Sequence, residues 1–308
     1  MERNICDGEE TSASEISWSP LVQNNWIEVQ DSLKRKLVTD DDFTWQLPTG
    51  KEEQEGEGLA LKYAGGVDIS FSKEDPSTAC GILVVLDLQT LQVVYEDYSV
   101  VRLHIPYVPG FLAFREAPVF SELLEKMKNS AHPFYPQLLM VDGNGLLHPR
   151  GFGLASHLGV LVNLPTIGIG KNLHHVDGLT QSRVKQLLEA RAKFTEDTII
   201  LTGDSGHTLG AAMRSTLGSL KPIFISVGHR ISLATAIKIA KVTCKYRVPE
   251  PIRQVTHTDF QTVRKCNNLG NSNVMIIVCT KLAYVKEVFP RVREDFGWEG
   301  SIYSHWDG

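Results

Sequence analysis

The chemistry-bearing residues of this chain gather at the ends of apolar runs. Leu138, Leu139, Met140 and Val141 read as a strand that delivers one carboxylate, Asp142, at its end. Gly143, Asn144 and Gly145 follow, a tight turn that small or left-handed-tolerant residues accept easily. His148, Pro149 and Arg150 come next, and a second short strand from Thr166 to Ile169 ends in Gly170 and Lys171. An acid at one strand end and an ammonium at the next suit phosphodiester chemistry: the acid can hold a divalent metal, and the basic groups can hold phosphate. A lone Asp after an apolar strand is more often a turn or cap residue. The case rests on the combination VDGNG, HPR, GLASHLG, PTIG and Lys171 within residues 141–171.

Other candidates are spread along the chain. Asp68 lies inside the apolar run VDIS, where a carboxylate is costly unless it is paired or liganded. Glu116, in FREAP, opens a helical stretch; the residues alone leave it either a first-turn acid favoured by the helix dipole or a third catalytic carboxylate. His229, in SVGHRISL, follows a strand and precedes a helix, a place where a histidine is more often a cap or a core polar group. Tyr107 sits in PYVP between Pro106 and Pro109, which stiffen the loop. That loop is either a rigid turn with an anchored tyrosine or a wedge for a base stack. Asp87, Asp97 and Asp177 read as ordinary turn acids.

The elements that must position these groups follow from periodicity. Trp26, Val29, Leu33 and Leu37 fall at helical spacing among charged residues, an amphipathic helix whose Trp26 and Leu33 face packs on the body. Its Lys34, Arg35 and Lys36 read as a solvated face. Three β-branched runs follow, GGVDISFS, CGILVVLDL and residues 91–103, with connections short enough for antiparallel hairpins. A helix over residues 114–127 precedes the 138–141 strand, a helix over 154–162 and the 166–169 strand. Beyond Lys171 the pattern predicts a helix over 182–192, strands at 198–202, 210–214 and 222–227, and a helix from Ile231 that ends before Pro249. Meandering strands followed by alternating helices and strands point to a mixed sheet with helices packed on it.

Composition sets the outer bounds. With 308 residues and 42% apolar content the chain can bury a globular core. The net charge of −5 is uneven: residues 1–60 hold 14 acids and 5 bases, leaving a weakly basic body that suits local phosphate contacts rather than strong non-specific polyanion binding. No apolar run is long enough for a membrane helix, and the acidic start has no secretory h-region. The five cysteines are scattered without a CxxC, as in reduced proteins of the cytosol or nucleus. A disordered acidic leader is expected over 1–22.

From about Val67 to Arg253 these motifs resemble the endonuclease V family, nucleases that cut near inosine. The likeness implies a catalytic domain over 23–253 and an extension over 254–308 with no assigned function. The resemblance implies an α/β fold: a single domain with a ribonuclease H-like mixed β-sheet flanked by helices, in which the strands of Asp68 and Asp142 are neighbours. It implies Mg2+ held by Asp68, Glu116 and Asp142, with Mn2+ able to substitute. Lys171 would neutralise the scissile phosphate, and His229 would complete the metal shell or assist proton movement. His148 and Arg150 would touch phosphate. Tyr107, flanked by Pro106 and Pro109, would be the wedge. Gly143 and Gly145, with the Gly168 region, would line a pocket for hypoxanthine. The implied reaction cuts the second phosphodiester bond 3′ to inosine and leaves a 3′-hydroxyl and a 5′-phosphate. Its substrate is inosine-containing single-stranded RNA, deoxyinosine-containing DNA, or both, with RNA favoured. The alternative is an inosine-RNA binding protein with weak or lost catalysis. A sugar kinase on a related sheet would need phosphate-binding DxG loops in two similar halves, and only one half is evident. A monomer is expected, in the cytoplasm, the nucleus (nucleolus) or both.

Overall fold

The computed structural model describes residues 20–47, 59–72, 75, 77–103, 105, 107–191, 197–216 and 221–258. Most of the acidic leader, the KEEQEGEG connection, Pro106 and the tail beyond residue 258 lie outside the described residues.

In chain order the elements are α1 (Pro20–Lys34), β1 (Trp45–Gln46), β2 (Leu59–Ala60), β3 (Tyr63–Phe71), β4 (Thr78–Asp87), β5 (Gln92–Arg102), α2 (Leu112–Asn129), β6 (Leu138–Asp142), α3 (Leu154–Val162), β7 (Thr166–Gly170), α4 (Gln181–Arg191), β8 (Thr198–Thr202), β9 (Thr208–Met213), β10 (Ile223–His229) and α5 (Leu233–Thr243). Residues 250–258 form a closing helix. Eight strands make one mixed sheet in the order β5-β4-β3-β6-β7-β10-β9-β8, and β1 and β2 form a small parallel pair. The mixed α/β single domain expected from the alternation of strands and helices is the observed one.

Burial explains the strand sequences. All residues from 79 to 86 on β4 are buried, the pattern of a strand covered on both faces. β5 mixes exposed and buried positions, as an edge strand does. β3, β4 and β5 form the antiparallel meander that their short connections require. β3, β6 and β7 are parallel, joined by crossovers through α2 and α3. Val67, Leu83, Val85, Leu139 and Val141 meet α2 and α3 on one face. Ala64, Leu138, Met140, Ile167 and Ile225 meet α5 and Ile252 of the closing helix on the other. Each fully buried Leu, Ile, Val or Phe contributes roughly 1.5–3 kcal/mol by leaving water.

Two further contacts fix the elements around the site. A Cβ on Gly66 of β3 would strike the main-chain carbonyl of Pro251, so the closing helix lies against bare backbone there. Helix α1 packs by Trp26, Val29 and Leu33 against Phe111, Phe114 and Phe152, with Trp26 stacked on Phe114 at 5.0 Å between ring centroids. The expected apolar face of this helix is therefore the buried one, and the helix already begins at Pro20.

One boundary differs in a way that matters below. The apolar run ending at Val227 suggests a strand that stops before His229. Pairing of β10 with β7 continues past a bulge to match His229 with Thr166, so His229 belongs to the strand. Among the described residues no helix is long and apolar enough to cross a membrane.

Candidate active site

Parallel pairing places the two strand acids side by side. Val67 of β3 is matched with Val141 of β6, so Asp68 and Asp142 are the next residues on adjacent strands and leave the sheet on the same face. Asp68 accepts a hydrogen bond from the Ile69 amide at 2.8 Å. Lys171, the residue after β7, donates from Nζ to Asp142 Oδ2 at 2.5 Å. Glu116, in the second turn of α2, is only 5% exposed and feels the charges of Asp68 and Asp142. Three carboxylates and one ammonium thus share one end of the sheet.

Electrostatics mark this cluster as short of positive charge. Burial pushes the Asp68 carboxyl up to about 7; the Asp142 charge adds to the rise and Lys171 opposes it. Burial likewise pushes Glu116 up to about 8, with Asp68 adding and Arg115 opposing. A hard cation among oxygen donors would relieve both. The donor set, all carboxylate oxygen, fits a divalent ion of the magnesium type. Among the described residues no three His, Cys, Asp or Glu side chains already stand at metal-ligating spacing. Lys171 lies against Asp142, where it offsets part of the charge.

A fifth residue, Thr256, belongs to the cluster and has no counterpart in the sequence reading. It sits on the closing helix. Its hydroxyl is 3.2 Å from Asp68 Oδ2 and 2.9 Å from the Ile252 carbonyl, either of which it can donate to. It accepts from Lys171 Nζ at 3.4 Å. Apolar Ile252 and Val255, three residues apart, hint in the sequence that the helix runs past Arg253, but nothing local marks which way Thr256 faces.

Several expected site residues lie elsewhere. His229 pairs with Thr166, and Thr166 with Leu139, whereas Asp142 pairs with Ile169. The histidine is therefore about 10 Å down the strands, at the far end of the sheet from the carboxylates. It is 4% exposed, and its Nδ1 accepts the Val38 amide at 3.2 Å. Burial lowers it to about 4, so it is a neutral core histidine, and a role in the metal shell is withdrawn. Arg150 points at α1: Nη2 reaches Asp31 at 2.8 Å, Nε bonds Gln30 Oε1, and the guanidinium lies over Phe111. Its job is to fasten the HPR loop to α1. Burial, then Arg150, His174 and Lys34, lower His148 to about 4, so it carries no charge for phosphate at neutral pH.

The glycines serve packing. A Cβ on Gly145 would overlap the Val227 carbonyl, and the Gly145 amide donates to Ser226 Oγ at 2.8 Å. A Cβ on Gly168 would meet the main chain of Gly143, Asn144 and Gly145. Space beside Gly143 is filled by the Leu154 side chain. Backbone of the turn, β7 and β10 is therefore in close contact on the Cβ side of Gly145 and Gly168.

The proline loop is at the same end of the sheet, after Arg102 of β5. Tyr107 is 63% exposed and Pro109 is exposed, while Val108 packs in the aromatic cluster under α1. Gln30, 1% exposed, donates from Nε2 to the carbonyls of Gly110 and Phe152, both at 3.1 Å. Helix α1 thereby ties the Tyr107 loop to the stretch that follows Asp142.

Fold and site together define a phosphodiester hydrolase built on paired strand-end carboxylates. A family model described as Endonuclease V matches residues 45–257. Endonuclease V of Mus musculus is 44% identical over 240 residues, spanning 78% of this chain and 69% of that protein. Endonuclease V of Homo sapiens is 43% identical over 244 residues, 78% of this chain and 83% of that protein. The crystal structure of the human catalytic domain superposes with a TM-score of 0.73 at 41% identity, covering 82% of this chain and 99% of that one. Endonuclease V of Ciona intestinalis, solved with a 23mer DNA containing an inosine followed by a ribo-adenosine, gives 0.73 at 32% identity over 80% of this chain and 99% of that one. The chain belongs to the endonuclease V family, and it is an endonuclease.

Proposed function

We propose that the protein is a magnesium-dependent endonuclease that cuts the second phosphodiester bond 3′ to inosine, in single-stranded RNA and in deoxyinosine-containing DNA, with RNA preferred. The observation that carries this reading is the convergence of Asp68, Asp142 and Glu116 beside Lys171 at one end of the sheet. The inosine-containing DNA bound by the Ciona relative supports the choice of base.

Asp68 and Asp142, with Glu116 behind them, would hold the cation, which when bound would neutralise phosphoryl charge and lower the pKa of the attacking water. Lys171 lies beside Asp142, placed to meet a phosphate oxygen that approaches the pair. Thr256 keeps Asp68 and Lys171 in register through one hydroxyl. In the reaction a water oxygen bonds to phosphorus, the bond from phosphorus to the 3′-oxygen breaks, and that oxygen gains a proton. The products are a 3′-hydroxyl and a 5′-phosphate. Tyr107, exposed on a loop anchored by Gln30, takes the place of a neighbour in the base stack.

The test is side-by-side cleavage of matched inosine-containing RNA and DNA strands across a magnesium titration, with Asp142→Ala as control. Metal-dependent cutting of inosine strands that spares adenosine strands and disappears in Asp142→Ala is expected. Strands that are shifted in a gel but stay uncut at every magnesium concentration would transfer the reading to an inosine-strand binder.

A further inference from the structure

An exposed aromatic ring with a cation over it is joined through its chain neighbours to Lys171 and Thr256 and has no part in the scheme above. Tyr246, in the turn between α5 and the closing helix, is 59% exposed. The guanidinium of Arg253 lies 5.0 Å from its ring centroid. That guanidinium is held in a two-pronged bond by Glu250, Nε to Oε1 and Nη2 to Oε2, both 2.8 Å. The Glu250 side chain is 1% exposed and also accepts from Gln254 at 3.0 Å, so the anchor itself cannot swing.

This pair is coupled to the site through two short paths. Arg247, next to Tyr246, donates from Nη2 to the main-chain carbonyl of Lys171 at 2.8 Å and to that of Pro222 at 3.1 Å. Arg253 lies three residues before Thr256 on the same helix, hence on an adjoining face one turn away. Ring and guanidinium are therefore positioned by the same segments that position Lys171 and Thr256.

An exposed tyrosine is common, and a cation–π pair at a surface adds little stability. What separates this one is the doubly held guanidinium behind a largely exposed ring and the link of its neighbour Arg247 to Lys171. Proteins that take single strands use such rings, because every base offers a π-face to an aromatic side chain and an adjacent arginine. We propose that Tyr246, backed by Arg253, is a stacking platform for an unpaired base flanking the scissile phosphate, a second aromatic point besides Tyr107. This rests on the nuclease reading given above. It means that the enzyme grips its strand at two aromatic points.

The test is a cycle between a protein change and a base deletion. Wild type, Tyr246→Ala, Tyr246→Leu and Tyr246→Phe are assayed on an inosine-containing single strand. They are also assayed on strands in which one nucleotide near the inosine is made abasic in turn, the backbone being kept. Tyr246→Ala and Tyr246→Leu should raise KM about five-fold or more, the size of a modest base stack, with the KM effect exceeding that on kcat, and Tyr246→Phe should restore it. At one abasic position wild type should suffer the same loss and Tyr246→Ala no further loss. Unchanged KM in Tyr246→Ala and Tyr246→Leu, or losses that add independently at every abasic position, overturns the platform. If wild type itself fails to prefer inosine strands over adenosine strands, the nuclease reading falls instead, and the two failures are told apart by that arm.

Discussion

Lys171 Nζ lies 2.5 Å from Asp142 Oδ2, so the one ammonium of the cluster neutralises the carboxylate that is also best placed to bind a cation. The two positive charges compete for one acceptor. Lys171→Met should therefore have two opposite effects. The magnesium concentration at half-maximal activity falls, because Asp142 is released. At saturating magnesium kcat falls on the order of 100-fold, the usual cost of losing one donor to developing charge. Cleavage that stays intact at saturating metal would remove Lys171 from the phosphate.

Thr256→Val is the sharper probe of how the cluster is held. Valine keeps the shape and deletes the hydroxyl that bridges Asp68 and Lys171. Loss of one such bond costs about 1 kcal/mol, so activity at limiting magnesium should drop roughly five-fold. Thr256→Ser should recover most of it. A magnesium titration of cleavage for the three proteins decides the matter.

Metal-free stability should report the crowding of the acids. Asp68 is raised from 3.8 to about 7 and Glu116 from 4.5 to about 8. A carboxyl raised by folding stabilises fully below its unfolded pKa, and that contribution is lost as pH climbs through the folded value. Two buried histidines and the half-buried His148 act in the other direction. His148 and His229, lowered to about 4, and His157, lowered to about 3, give stability that is present above 6.5 and lost toward acid. The window from pH 6.5 to 8 therefore isolates the acids. With chelator present, the melting temperature should fall across that window, and Glu116→Gln should flatten the fall. Added magnesium, which favours the ionised form, should raise the melting temperature most at pH 8. A flat chelated profile in the wild-type protein would show that the carboxylates are not crowded.

How far the sequence could be read depended on which physical signal each residue carried. Asp68 was legible because a carboxylate inside an apolar strand costs energy unless it is paired or liganded, Asp142 only through the motifs that follow it in residues 141–171, and parallel pairing sets the two side by side. The boundaries of β8 and α3 followed from plain periodicity. For His229 the residues alone suggest a cap or core polar group, which is what it is, and the metal-shell role came from the resemblance only. β10 runs antiparallel to β7, and that reversal takes its last residue away from the strand ends that hold Asp142 and Lys171. Thr256 was missed because a threonine on a helix gives no local sign of what it faces. Gly145 and Gly168 also let main chain approach main chain; close approach of backbone to backbone and of backbone to ligand look alike in a sequence. Arg150 looked like a phosphate clamp, and only the position of α1 shows its charge already answered by Asp31.

Gln30 and Tyr107 give the last prediction, because one is argued to work through the other. The buried carboxamide of Gln30 uses both ends: Nε2 holds the carbonyls of Gly110 and Phe152, and Oε1 takes Arg150 Nε. Gly110 is three residues from Tyr107, so this amide fixes where the exposed ring can stand. Gln30→Ala leaves two carbonyls and a guanidinium group short of a partner, and about 2–4 kcal/mol of stability should be lost in a urea titration. Tyr107→Ala removes an exposed ring and should leave stability unchanged. Both variants should bind inosine strands more weakly, Tyr107→Ala by removing the wedge and Gln30→Ala by loosening its base. Neither touches the carboxylates, so magnesium binding followed by calorimetry should match wild type. If Tyr107→Ala binds inosine strands as tightly as wild type, the ring does not enter the stack. If Gln30→Ala then also binds normally, the α1 contact serves stability alone.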